Sequence, residues 1–176
     1  MIKRGIFLIG LIAICSAFKV SDKVMKKADK VIAKFYETPE FSKETISISA
    51  AANDETSSEF GEGNLFKITQ GETMLGYGYI GTAPSKTSTF EYLVLFDADY
   101  IVTKSKVLIY REEYGGEIGS KRWLKQFTGT SSSTHELKYE EDIIPISGAT
   151  ISVRSMTRAM NDLLRSIGTL KELNEI

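Results

Sequence analysis

"TFEYLVLFDADYIVTKSKVLIYRE", Thr89–Glu112, decides the fold. Two runs rich in β-branched and aromatic residues flank Asp97-Ala98-Asp99, which reads as a hairpin turn between two strands. A calcium loop needs further oxygen ligands at alternate positions, and Tyr100 and Ile101 supply none, so the two aspartates are assigned to the turn. Upstream, "LFKIT" (Leu65–Thr69) and "TMLGYGYIG" (Thr73–Gly81) have the same composition and are separated by turn signals. The stretch from Leu65 to Tyr110 therefore reads as an antiparallel meander. Tyr77 and Tyr79 lie within it, and one is expected to face inward and the other outward.

Helical patterns stand on both sides of the meander. Ser21 is placed as the cap of a helix in which Val24, Met25, Ala28, Val31, Ile32 and Phe35 recur at helical spacing, ending near Pro39. "TISISAAANDETSSEFGEGN" (Thr45–Asn64) starts with strand-like alternation and passes into a long loop. After the meander, "REEYGGEIGSKRWLKQFTGT" (Arg111–Thr130) is a glycine-punctuated loop running into a short helix, capped by Ser120 and closed by Gly129. Trp123 and Phe127 share one face of that helix and are assigned to the core. Near the end, Val153, Met156, Met160, Leu163 and Ile167 form an apolar stripe at spacings of three and four, with Gly168 as its stop.

Strands in one run and helices in others indicate an α+β domain. The 176 residues suit one such unit. Its division is expected to be a signal segment at 1–17, an N-terminal helix and variable loop at 18–60, and the main domain at 61–176. With 22 basic and 23 acidic residues the net charge is −1, which argues against nucleic acid as a partner.

"MIKRGIFLIGLIAICSAF", Met1–Phe18, has Lys3 and Arg4, an apolar run from Ile6 to Ile14, then Ser16 and Ala17. That is the layout of an export signal, and Lys19 stops the run short of a membrane span. Cleavage after Ala17 is the first reading and retention as a short anchor the second. A lipidated Cys15 is disfavoured by the bulky Ile14 before it. Cys15 is the one cysteine, so cleavage leaves no thiol, and redox chemistry must come from a bound cofactor. His135 has no second ligand at metal spacing and is assigned to the surface.

The chemistry concentrates in "SGATIS", Ser147–Ser152, directly before the last helix. Small residues and the hydroxyls of Ser147, Thr150 and Ser152 stand beside free helix amides, an arrangement that favours an anion such as a phosphate. Arg154 and Arg158 can add charge from one turn further on. A plainer reading remains open: Thr150 or Ser152 caps the helix and Gly148 permits the turn.

"SGATIS" with the helix "VRSMTRAMNDLL" resembles the flavin attachment site of the FMN-binding domain family. This domain occurs in the small subunits of Rnf-type and sodium-pumping NADH:quinone oxidoreductase complexes and in exported single-domain relatives. The similarity extends back through "RWLKQFTG", "EEYGGEIG" and the hairpin, covering roughly Gly71 to Ile167. It implies FMN joined by a phosphoester to Thr150, installed by a separate flavin transferase with FAD as the FMN donor. Gly148 and Ala149 provide clearance, and Ser147 and Ser152 are candidates to hydrogen-bond the phosphate oxygens, with plain turn and cap roles as the alternative. Glu113, Gly115 and Gly116 match the loop near the isoalloxazine ring, with Tyr114 where the family favours a smaller residue. The position three before the serine, acidic in the family, is Ile144 here, and Asp142 lies two residues earlier.

The resemblance implies a periplasmic or outer-face electron carrier serving redox partner proteins, those of a membrane complex among the candidates. The alternatives are a small FMN-dependent reductase with non-covalent flavin and a cofactor-free assembly module. No glycine-rich dinucleotide fingerprint follows a strand, which counts against direct use of NADH.

Overall fold

A computed structural model describes residues 20–61 and 63–176. The segment read as an export signal lies outside the described residues. Five strands form one antiparallel sheet in sequential order: β1 (Ser42–Thr45), β2 (Leu65–Gln70), β3 (Thr73–Pro84), β4 (Thr89–Phe96) and β5 (Val102–Ile109). The meander is as expected from composition, with β1 added at its edge. The hairpin turn after β4 is closed by Asp97, whose Oδ1 accepts from the amides of Asp99 (3.0 Å) and Ile101 (2.9 Å).

Alternation along the strands divides the core. Phe90, Tyr92, Val94 and Phe96 of β4 face one side, where they meet the stripe of helix α4 (Thr150–Glu172). Leu93 and Leu95 face the other side and pack with Val24, Ala28 and Ile32 of helix α1 (Asp22–Phe35). The molecule is an α+β domain with helices on both faces of an antiparallel sheet.

Several expectations are corrected. Tyr77 and Tyr79 pack on the same side, because residues two apart on a strand share a face. Tyr79 is buried against Phe60, and Tyr77 stacks on Tyr100 with centroids 4.1 Å apart. The segment after Thr45 contains a short helix, α2 (Ala50–Asp54), capped by Ser49, whose Oγ accepts from the Ala52 amide at 3.2 Å. The following loop is tied down by Ser166 of α4, whose Oγ accepts from the amides of Ser57 (3.1 Å) and Ser58 (2.9 Å). Gly168 does not end the last helix: α4 runs on to Glu172, because buried Leu170 extends the apolar stripe one more turn. Ser21 caps α1 through its backbone carbonyl, which accepts from Val24 and Met25, and not through its hydroxyl.

The loop after β5 winds into a 3-10 turn (Gly116–Gly119) and then helix α3 (Lys121–Leu124). Ser120 caps α3 as expected, accepting from the Trp123 amide at 3.2 Å. Trp123 and Phe127 are buried in edge-to-face contact, and Trp123 Nε1 donates to the Ile144 carbonyl at 2.8 Å. This bond moors the segment that leads to α4. No helix among the described residues is long and apolar enough to cross a membrane.

Candidate functional site

Three chain segments meet at the N-terminal end of α4. The turn before the helix brings Ser147, Gly148 and Ala149, and the helix adds Thr150, Ile151 and Ser152. The loop after β5 brings Tyr110, Glu112, Tyr114, Gly115 and Glu117, and the β3–β4 turn brings Lys86. They enclose an open cavity of about 710 Å³. That lies within the ~300–1,000 Å³ that small-molecule sites occupy.

The turn has the backbone it needs because its residues are small. Gly148 adopts φ +76°, a left-handed conformation that costs glycine little. Gly115 has φ +74°, and a Cβ placed on it would overlap Ala149 Cβ. The two loops therefore touch backbone against small side chain, which no larger residue at position 115 would permit.

Neither hydroxyl named as a possible cap serves as one. The helix N-cap is Ala149, which has no side-chain capping bond. Ser152 is buried, and its Oγ lies 3.0 Å from the Tyr110 hydroxyl. Among the described residues, the amides of Thr150, Ile151 and Ser152 have no hydrogen-bond acceptor. The hydroxyls of Ser147 and Thr150, both exposed, likewise make no hydrogen bond there. Free amides at the positive end of a 23-residue helix favour an anion.

The charge near those amides is not the one expected. Arg154 stacks its guanidinium over the Tyr139 ring at 4.6 Å, and neither it nor Arg158 lines the cavity. They lie one and two turns further along the helix, about 6 and 12 Å beyond Thr150 on the axis, and among the described residues the cation on the cavity wall is Lys86. Its turn is clamped by Glu112, whose carboxylate accepts from Ser85 Oγ (2.5 Å), the Thr87 amide (2.8 Å) and Thr87 Oγ1 (2.9 Å). The Ser85 hydroxyl and Thr87 amide hold the Glu112 carboxyl down at about 2.

Of the residues picked from sequence, Ser147, Gly148, Ala149, Thr150, Ser152 and Gly115 come together here, whereas Glu113 and Gly116 are not on the cavity wall. Their neighbours Glu112 and Glu117 are. Ile144 is 67% exposed, and Asp142 is occupied elsewhere, accepting from the Lys138 amide at 2.8 Å and pairing with His135 at 3.0 Å. The His135 contact is the main cause of its lowered carboxyl pKa.

The sequence model of the FMN-binding domain matches residues 86–165. This stretch of the chain belongs to the FMN-binding domain family. No curated protein matches the chain. The matched residues begin at Lys86 and run through the first four turns of α4, so they include every wall of the cavity. The cofactor of the domain is FMN. The cavity fits it: free helix amides and Lys86 suit the phosphate, and the close approach at Gly115 and the apolar surfaces of Tyr114 and Ile151 suit a flat ring.

Sequence reasoning missed Lys86, Tyr110, Glu112 and Glu117. Tyr110 ends the "VLIY" strand pattern and Lys86 sits in an ordinary polar turn, so nothing local distinguishes either. Only the antiparallel hairpin, which returns both to the same end of the sheet, marks them.

Proposed function

We propose that the protein is an exported electron carrier whose FMN is joined through its phosphate to Thr150. One observation carries this reading: Thr150 is exposed on the cavity as the first residue of α4, and among the described residues its hydroxyl and the helix amides beside it have no hydrogen-bond partner. A phosphoester on its Oγ would place the phosphate charge at the positive end of the helix.

In the attachment step, Thr150 Oγ bonds to the flavin-proximal phosphorus of FAD while the pyrophosphate P–O bond breaks and AMP leaves. The hydroxyl proton needs a base, and among the described residues no side chain hydrogen-bonds Thr150. A flavin transferase is therefore the partner that supplies activation. Gly148 and Ala149 leave the hydroxyl accessible, and the Tyr110–Ser152 pair forms a polar floor. Bound FMN supplies one- and two-electron transfer. Lys86 offsets its negative charge, and the open cavity leaves the ring reachable by redox partner proteins in the periplasm or on the outer face of the membrane. Export rests on the Lys3, Arg4, apolar-run and Ala17 pattern.

The test is co-expression with a compatible transferase and export signal. Denatured protein should fluoresce on a gel, and its intact mass should exceed the apo mass by FMN less water. Thr150→Ala should remove both signals and Thr150→Ser should retain them. A wild-type protein matured in this way yet unmodified at Thr150 would sink the covalent reading.

A further inference from the structure

We propose that Tyr114 is the aromatic cover of the flavin in this chain, stacking on the isoalloxazine ring and quenching its emission. The proposal rests on the cavity at Thr150 being the FMN site.

Tyr114 is the most exposed large hydrophobic residue among the described ones, at 75%. A single exposed hydrophobic residue is ordinary, but Tyr114 shares the wall of a concave site with exposed Ile151, and apolar surface of that kind marks ligand-binding grooves. Its hydroxyl makes no hydrogen bond among the described residues, and its ring is in no aromatic pair there, although eight such pairs occur elsewhere. The residue nevertheless has a fixed place. It stands between Glu113 and Gly115, and Gly115 is locked against Ala149 by the absence of a Cβ. Across the turn, a Cβ placed on Gly148 would lie 3.8 Å from Tyr114 Cβ. The backbone of Tyr114 is thus pinned opposite Gly148, itself two residues before Thr150, while the Tyr114 ring lies on the cavity wall with no aromatic partner among the described residues.

Ile151, next to Thr150, is the other exposed large apolar side chain on the same wall, at 51%. Of five exposed large hydrophobics among the described residues, these two line the cavity and Ile144 lies three residues before Ser147. An apolar rim around a polar, phosphate-attracting floor matches a ligand with an aromatic body and an anionic tail. Electron-rich phenol rings stacked on a flavin quench its fluorescence, whereas aliphatic side chains do not.

The experiment compares wild type, Tyr114→Leu and Tyr114→Trp, each loaded with FMN covalently or, if no attachment occurs, by adding FMN to saturation. Folding is checked by circular dichroism, and mass spectrometry reports attachment separately from emission. Wild type and Tyr114→Trp should be dim when folded, and Tyr114→Leu should be several-fold brighter. For non-covalent FMN, Tyr114→Leu should raise Kd about threefold to tenfold. Equal emission from wild type and Tyr114→Leu, or a bright folded wild type, overturns the proposal. Loss of the mass increase with the emission difference intact overturns only the covalent attachment.

Discussion

At the scale of single residues, the two glycines of the "YGGE" stretch have opposite sensitivities. Gly115 combines φ +74° with a Cβ position already filled by Ala149, whereas a Cβ on Gly116 meets nothing within 4 Å. Gly115→Ala should therefore cost on the order of 1–3 kcal/mol and displace the turn that presents Thr150. Gly116→Ala should leave stability within about 0.5 kcal/mol of wild type, as expected of surface positions. Urea unfolding of the two variants checks this, and equal losses would refute the packing argument.

Glu112 gives a pH signature. Its carboxyl lies at about 2 in the folded chain against an ordinary 4.5. A depressed folded value means its contribution is present above the ordinary value and is lost as pH falls through the range from 4.5 towards 2. Glu112→Gln should flatten that part of the profile of Tm against pH, with little effect near pH 7 on the fold itself. An unchanged acid limb would show that the clamp on the Lys86 turn carries no stability. Lys86→Ala should weaken binding of FMN but not of riboflavin, and added salt should erase the difference; equal losses for both ligands would place Lys86 away from the phosphate.

At the scale of elements, α4 does two jobs with two faces. Its apolar stripe fills the core, and its polar small residues hold the chain around it. Ser166 is buried and serves both functions, donating to the Asp162 carbonyl at 2.7 Å while accepting from two loop amides. Ser166→Ala would leave those amides without an acceptor, at a cost of about 1–3 kcal/mol. Hydrogen exchange should then quicken at Ser57 and Ser58 more than in the distant β4–β5 hairpin. Ser155 links the other end of the helix to the sheet by donating to the Pro84 carbonyl, just before the turn that carries Lys86. The mouth of the cavity is thus braced from the sheet side as well.

At the scale of the whole molecule, the sheet separates the face that carries the Thr150 cavity from the α1 face. Ile32 is fully buried on the α1 side, with Ile68, Ile80, Leu93 and Leu95 around it. Ile32→Ala should cost ~2–5 kcal/mol of stability. The cavity is on the opposite face, so the folded fraction should bind FMN with an unchanged Kd, measured well below the lowered Tm. A changed Kd would mean that the two faces are coupled through the sheet.

The amino-acid sequence by itself determined the strand runs of the meander, the turn at Asp97, the cap at Ser120, the stripe on α4 and the place of Thr150 at its mouth. These are local: each rests on periodicity, composition or turn chemistry within about ten residues. Tertiary structure alone decided that β1 joins the edge, that α1 covers the back of the sheet and that Lys86, Tyr110 and Glu112 reach the cavity. It also turned Arg154 onto Tyr139 and carried α4 past Gly168. Such outcomes depend on strand register and on how far a buried stripe extends, both set by partners distant along the chain.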